Sequence, residues 1–301
     1  LQDKGLFREF LARNEFNVPK AKRYTDIEAA LNDIDNLTFP IIVKPVDSAG
    51  SKGVTRVDNS CEFEKAIEIA MDNSHCKSII VEDFIEFEGY HSSADVFTID
   101  GELKFVTYSD QLFDKTAENP YTPAYIIWPS TMKKEYQSYL TAEIQRLMLL
   151  LNMRTGIYNI ETCVAKNGKP YIMEISPRGG CKIAELQKMA YGIDLIENEI
   201  KKAVGYPLGE FSEDECNGYW CEMVIHSNTT RNSRLKAINI ASDIKEKYLK
   251  EADIVVKSGD IIHAFTGANM SLGDIFLRFN SREELNTVIQ KQNEWLRLEM
   301  I

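Results

Sequence analysis

The sequence predicts an α+β protein, and three observations lead there. Helix-like and strand-like apolar patterns alternate along the first two thirds of the chain, and an Asn167-Gly168 turn signal sits between two β-rich runs. From about residue 211 the chain turns β-rich again, before a last helix. At 301 residues it is long enough for two or three domains around a sizeable core.

Taken in order, residues 2–15 pattern as a helix with Leu6, Phe7, Phe10 and Leu11 on one stripe and Lys4 in the first turn. Thr25-Asp26-Ile27-Glu28 reads as a capping box opening a second helix. Ile41 to Pro45 is a short buried strand whose one charge, Lys44, comes near its end, and a charge closing an apolar strand needs a partner. Residues 47–53, DSAGSKG, form a small-residue loop whose backbone amides can wrap phosphate oxygens, although no Walker sequence is present. A helix over 61–72 and a strand over 78–82 complete a small unit over 22–83 that looks like a lid. Strands from His91 to Thr98 and Leu103 to Tyr108 flank an Asp100-Gly101 turn. Residues 109–130 hold three prolines and little periodicity and read as a long loop, functional or mobile. An amphipathic helix over 132–151 follows, with Leu140, Ile144 and Leu147 buried. Beyond the hairpin come helical pattern through Ala203, strands at Tyr219–His226, Ile254–Val256 and Phe276–Phe279, and a capping box at Ser281–Glu284.

The chain is organised around residues 156–180. A two-residue turn at Asn167-Gly168 makes partner numbers sum to 335, so Glu161 faces Glu174, Asn159 faces Ser176 and Ile157 faces Arg178 on one side. Tyr158, Ile160, Val164, Tyr171, Met173 and Ile175 form the core side. Directly opposed carboxylates, with Cβ atoms roughly 4.5–5.5 Å apart, repel each other, so the pair holds a cation or is strained. Oxygen ligands of this kind suit Mg2+ or Mn2+. Arg178 beside them reads as an anion clamp rather than a plain helix-entry turn.

A net charge of −11 argues against a nucleic-acid or anionic-membrane surface, while leaving room for a locally basic pocket. The six cysteines lack CxxC spacing and read as free thiols of a reducing cytosol. No apolar run reaches the length of a membrane span.

The order of lysine-bearing helix, strand closed by lysine, small-residue loop, VEDFI strand and two-glutamate hairpin ending in Ser176-Pro177-Arg178 resembles the ATP-grasp superfamily over residues 1–205. Within it the likeness is to carbamoyl-phosphate synthetase and biotin carboxylase-like ligases. The resemblance implies two α+β subdomains sandwiching ATP: a lid over 22–83 and a catalytic part over 84–210, followed by a small β-rich domain over 211–301. Residues 1–21 would be a linker helix from an N-terminal Rossmann-like domain missing here, consistent with a chain that opens on Leu1.

The resemblance also implies roles. Lys4 and Lys44 would contact phosphates, with Lys44 and Arg178 catalytic, and the loop carrying Ser48, Gly50, Ser51 and Gly53 would close over them. Glu82, Phe84 and Ile85 would lie along the adenine, Glu88 and His91 by the ribose, and Cys163 would join the nucleotide-binding set. Glu161, Glu174 and Ser176 would hold Mg2+ or Mn2+, with Ser176 standing where the family commonly has asparagine. The implied activity is ATP-dependent ligation of a small carboxylate to an amine through an acylphosphate, without nucleic acid or membrane, in the cytoplasm and conceivably as a homodimer. Bicarbonate activation to carboxyphosphate, and a nucleotide-binding module without turnover, are the alternatives.

Overall fold

A computed structural model describes residues 1–180, 182–211, 215–229 and 233–301. The first elements are helix α1 (Lys4–Arg13), strand β1 (Ala21–Tyr24), helix α2 (Ile27–Leu31), strands β2 (Ile41–Pro45) and β3 (Thr55–Val57), helix α3 (Phe63–Asp72) and strand β4 (Ile79–Asp83). Next come strands β5 (His91–Ile99), β6 (Glu102–Phe113) and β7 (Pro123–Trp128), helix α4 (Lys134–Leu150), and strands β8 (Gly156–Val164) and β9 (Pro170–Ser176). Helices α5 (Ile183–Tyr191) and α6 (Leu195–Ala203) precede β10 (Tyr219–Ile225), β11 (Ser233–Ile240), α7 (Ser242–Lys247), β12 (Leu249–Ile254), β13 (Ile261–Ile262) and β14 (Gly273–Phe279). Helices α8 (Arg282–Gln290) and α9 (Gln292–Trp295) and strand β15 (Leu296–Met300) end the chain's regular structure.

The chain divides into two compact units. The first comprises Leu1–His91, Lys134–Ile144 and Ile160–Ser176. Its four-stranded antiparallel sheet runs β1-β4-β2-β3. Period-two alternation gives that sheet two unlike faces. Ile41, Val43, Ile79 and Val81 turn toward α2 and α3 and bury against Phe63 and Ile67. Ile42, Lys44, Ile80 and Glu82 share the other face, beside α1, which packs on β1 and β4. Helix α1 starts where the Asp3 carboxylate accepts the Leu6 amide at 2.9 Å. Its buried positions are Gly5, Phe7, Arg8 and Leu11, whereas Leu6, expected on the apolar stripe, is 54 % exposed. Helix α2 is capped by Asp26 rather than by Thr25, because the Asp26 carboxylate takes the Ala29 amide at 2.9 Å.

The second unit comprises Ser92–Lys133, Gln145–Asn159 and Pro177–Ile301. Its main sheet runs β12-β14-β10-β7-β6-β5 and continues into the first half of β8. Asp100 and Gly101, both with positive φ, make the expected tight turn between β5 and β6. One face carries Cys221, Met223, Ile275 and Leu277 into a core with Ile244 and Leu285. The other sets Trp128, Trp220 and Phe276 against Ile183 and Leu186 of α5. One expectation fails here. The supposed loop over 109–130 contains the end of β6 and all of β7, which pairs with β6 on one side and β10 on the other. That same β10–β7 pairing carries the main sheet across residue 211, so no break in the sheet falls at that position. At the last long helix Ser281 caps as expected, its Oγ accepting the Glu284 amide at 3.1 Å, while the Glu284 carboxylate accepts from the Asn280 amide rather than from that of Ser281.

Gly273 has φ +147°, and a Cβ there would lie 2.4 Å from the Asp253 carbonyl oxygen on β12. Neither can be relieved by a side-chain rotation, so Gly273→Ala should cost about 2 kcal/mol, read as a lower urea midpoint at unchanged m-value. An unshifted midpoint would contradict this close approach.

Candidate functional site

Register explains the most buried charges. Ile42 pairs with Glu82 and Lys44 with Ile80, so Lys44 and Glu82 are diagonal neighbours on one sheet face. Lys44 Nζ lies 2.5 Å from Glu82 Oε2. From α1, Arg8 Nε lies 2.6 Å from Glu82 Oε1, and Arg8 Nη1 donates to the Met173 carbonyl of β9 at 2.6 Å. Burial alone would push the Glu82 carboxyl up, but Arg8 and Lys44 together hold it down at about 2. Burial pushes Lys44 down from the usual lysine range, with Glu82 opposing.

One turn before Arg8, Lys4 donates to the Ser48 carbonyl at 2.8 Å and lies 3.4 Å from Glu174 Oε2. It thus touches both the small-residue loop and the acidic hairpin. Within that loop Gly50, Ser51 and Gly53 all adopt positive φ, and Ser48 Oγ donates to the Asn73 carbonyl at 3.1 Å. Asp47 accepts from the Cys76 amide and Ser74 hydroxyl, which anchors the loop's start to the end of α3.

The hairpin turn is one residue longer than expected. Ala165 and Lys169, not Lys166 and Lys169, close it: the Ala165 amide donates to the Lys169 carbonyl, and the Gly168 amide to the Ala165 carbonyl, both at 2.8 Å. Gly168 at φ +80° takes the left-handed position this three-residue loop requires, and the Lys166 amide turns away to Glu86. On β9 the buried positions are Pro170, Ile172 and Ile175, with Met173 and Glu174 both half-buried. Tyr171 and Met173 therefore leave the core side, and Ile172 takes it.

Glu174 acts on Glu161, whose carboxyl is pushed up to about 7 by lost hydration first and by Glu174 second, Lys4 opposing. By area Glu161 is exposed, but protein crowds its carboxyl group. Two neighbouring carboxylates with a half-buried Ser176 two residues on form an oxygen donor set of the kind Mg2+ takes together with phosphate oxygens. Among the described residues no group of three or more His, Cys, Asp or Glu stands ready to hold an ion unaided.

An ATP-grasp domain model matches residues 1–181. The chain belongs to the ATP-grasp family. Its relatives include the N-terminal section of the carbamoyl phosphate synthase large chain of Aquifex aeolicus, 26 % identical over 221 residues, covering 71 % of this chain and 38 % of that protein. The chain thus spans well under half the length of that relative. Among solved structures, an L-amino acid ligase from Bacillus licheniformis aligns over 99 % of this chain and 72 % of its own at 21 % identity, with a TM-score of 0.78. Biotin carboxylase from Campylobacter jejuni aligns over 100 % and 68 % at 18 % identity, with a TM-score of 0.74. These likenesses show a fold shared with those solved structures over nearly the whole chain.

Other expected site residues of this ATP-grasp chain are placed unevenly. Glu82, expected along a base, has its carboxylate committed to Arg8 and Lys44. Phe84 is half-buried with the Arg56 guanidinium 4.3 Å over its ring, and Ile85 is half-buried beside it. Glu88 is exposed, its amide donating to the Val164 carbonyl at 2.7 Å. His91 packs edge-on to Phe87 at 4.4 Å, and burial, then Lys44, pushes it down to about 4. Cys163 is 1 % exposed and burial pushes its thiol up to about 12, so it packs as an apolar side chain. Cys61, Cys76, Cys216 and Cys221 are also free, and Cys181 lies outside the described residues. Arg178 is not on the hairpin face: β9 ends at Ser176, Arg178 is exposed while its supposed partner Ile157 is buried, and its Nη1 donates to the neighbouring Gly179 carbonyl. In the second unit its charge acts on Asp95, a buried β5 acid pushed up to about 7 mainly by burial. Asp95 and Arg8 were missed. Helical spacing sets Arg8 on one stripe with Lys4 and Leu11, but spacing does not reveal its partner Glu82.

A carboxyl held above its unfolded value binds its proton more tightly in the folded state, so its contribution to stability is present at low pH and is lost as pH rises. For Glu161 that window runs from about 4.5 to about 7. Without divalent ions, the wild-type urea midpoint should therefore fall, relative to that of Glu161→Gln, as pH rises through this window. A constant difference between the two proteins from pH 4.5 to 8 would contradict the Glu161–Glu174 interaction.

Proposed function

We propose that the chain is the nucleotide-binding and catalytic part of an ATP-dependent carboxylate–amine ligase. The observation that carries this reading is Lys4, which reaches both the small-residue loop and Glu174, the elements that would take phosphate and metal. Lys4 and Lys44 would hold the phosphates, and the loop's backbone amides would wrap them. Glu161 and Glu174, with Ser176, would hold Mg2+, which when bound neutralises phosphate charge. Phe84 and Ile85 would flank the base, and Glu88 and His91 the ribose. The substrate carboxylate oxygen would attack the γ-phosphorus as the bond to ADP breaks; the amine would then attack the acyl carbon and expel phosphate. No side-chain nucleophile is needed, so the protein's part is positioning and charge stabilisation. Residues 22–83 would close as a lid that keeps water from the acylphosphate. The free thiols fit a reducing, cytoplasmic setting, and no helix among the described residues is long and apolar enough to cross a membrane.

Bicarbonate is a second reading for the activated acid, supported by the carbamoyl phosphate synthase relatives and the biotin carboxylase neighbour. A screen of amino acids, small carboxylates and bicarbonate for ADP release separates the two, and hydroxylamine traps an acylphosphate as a hydroxamate. ADP release with no member of the panel would count against both.

Arg178 would meet the acylphosphate with a planar fork that a lysine lacks. Arg178→Lys should leave Mg-ATP affinity within a few-fold but slow acid-dependent ADP release about a hundredfold, the scale of losing one preorganised donor. Normal turnover in that variant would remove Arg178 from the mechanism.

A further inference from the structure

The lysine proposed to meet phosphate is already paired. Lys44 Nζ sits 2.5 Å from Glu82 Oε2, and a buried one-to-one pair would leave little charge for a ligand. Glu82, however, answers two cations. Arg8 lies on its other oxygen at 2.6 Å, and a guanidinium stays charged at any pH a protein survives. Glu161, on which Lys4, Lys44 and Arg8 also act, is the acid the proposed function gives to Mg2+. At Glu82 itself two cations against one carboxylate leave one positive charge over. That charge has one way out, because the Arg8 and Glu82 side chains are only 4 % and 3 % exposed, whereas the Lys44 side chain is 12 % exposed. Arg8 cannot reach a ligand itself. Its remaining contact, the bond from Nη1 to the Met173 carbonyl, fixes the group against the strand that carries Glu174.

We infer that Arg8 is a charge-balancing and positioning residue: it occupies Glu82, so that Lys44 keeps positive charge to spare for a phosphate. This rests on Lys44 being the phosphate contact proposed above. A purely structural ion cluster would serve the fold no better than apolar side chains of similar size, so stability alone does not account for the arrangement.

The test compares affinities for Mg-ATP and adenosine, by calorimetry and ligand-observed NMR, with thermal unfolding recorded in parallel. In Arg8→Met, Glu82 is left to neutralise Lys44, and Mg-ATP affinity should fall about tenfold or more while adenosine affinity stays within about twofold. Adding Glu82→Gln removes the neutralising carboxylate, so the Arg8→Met/Glu82→Gln double variant should regain most of the lost Mg-ATP affinity. A structural role predicts that Mg-ATP affinity tracks the unfolding midpoint across the wild type and both variants; that result, or a double variant that binds Mg-ATP no better than the single one, would overturn the inference. Equal losses for Mg-ATP and adenosine would overturn it too. Should Arg8→Met fail to fold, Arg8→Lys keeps the charge without the fork and should hold Mg-ATP affinity within about threefold; a larger loss would overturn the charge argument. Wild-type protein that binds no Mg-ATP would sink the proposed function and this inference together, whereas normal wild-type binding without recovery in the double variant sinks the inference alone.

Discussion

The buried carboxylate of Glu82 sets the terms for the first unit. It stands on β4, between β1 and β2, on the sheet face opposite the α2–α3 core. A buried anion is tolerated only with excellent partners, and a buried charge left with no partner costs about 3–5 kcal/mol. The partners come from separate places: Lys44 from the adjacent strand and Arg8 from α1, which reaches past Glu82 to the Met173 carbonyl. Helix, sheet and hairpin are therefore held to one another through a single acidic side chain, and none can shift far without leaving a charge unanswered.

The hairpin carries the opposite problem. Glu161 and Glu174 repel, and Lys4, Lys44 and Arg8 oppose that repulsion without overcoming it together with burial; Lys4, 3.4 Å from Glu174, is also engaged by the Ser48 carbonyl. The local balance is incomplete: the two acids act on each other across the hairpin. A site that keeps two carboxylates close, with cations approaching from one side, has room in its charge balance for both a divalent cation and an anionic ligand.

Much of this was legible because charge interrupted an apolar pattern. Lys44 near the end of an apolar strand and the two hairpin glutamates stand out in the sequence, and the structure places the acids together despite a turn one residue longer than read. Asn167-Gly168 is compatible with both loop lengths, and what decides between them is nonlocal: the Lys166 amide is taken by Glu86. Strand β7 was hidden for a similar reason, its short run after Pro123 becoming a strand through partners on both sides. Arg8 was overlooked because an arginine in an amphipathic helix ordinarily faces solvent, and no composition or period records that it meets Glu82, far along the chain. Arg178 shows the limit of extending a register past a strand's end, where alternation no longer constrains direction.

Helix α1 is what makes these separate placements consistent. Lys4 and Arg8 are one turn apart, about 6 Å along the axis, so a single rigid element fixes the spacing between the loop-facing cation and the strand-facing one. The helix is itself fixed at its start. Asp3 caps it and also pairs with Arg23 of β1 at 3.2 Å, and a Cβ at Gly5 would lie 2.9 Å from the Arg23 side chain, so α1 lies close against β1 where its first turn begins. A longer side chain at residue 5 would lift that turn and carry Lys4 away from Ser48 and Glu174, while Arg8, one turn on and clamped between Glu82 and Met173, would resist. The small residue between two cations thus belongs to the site's geometry as much as the charges do.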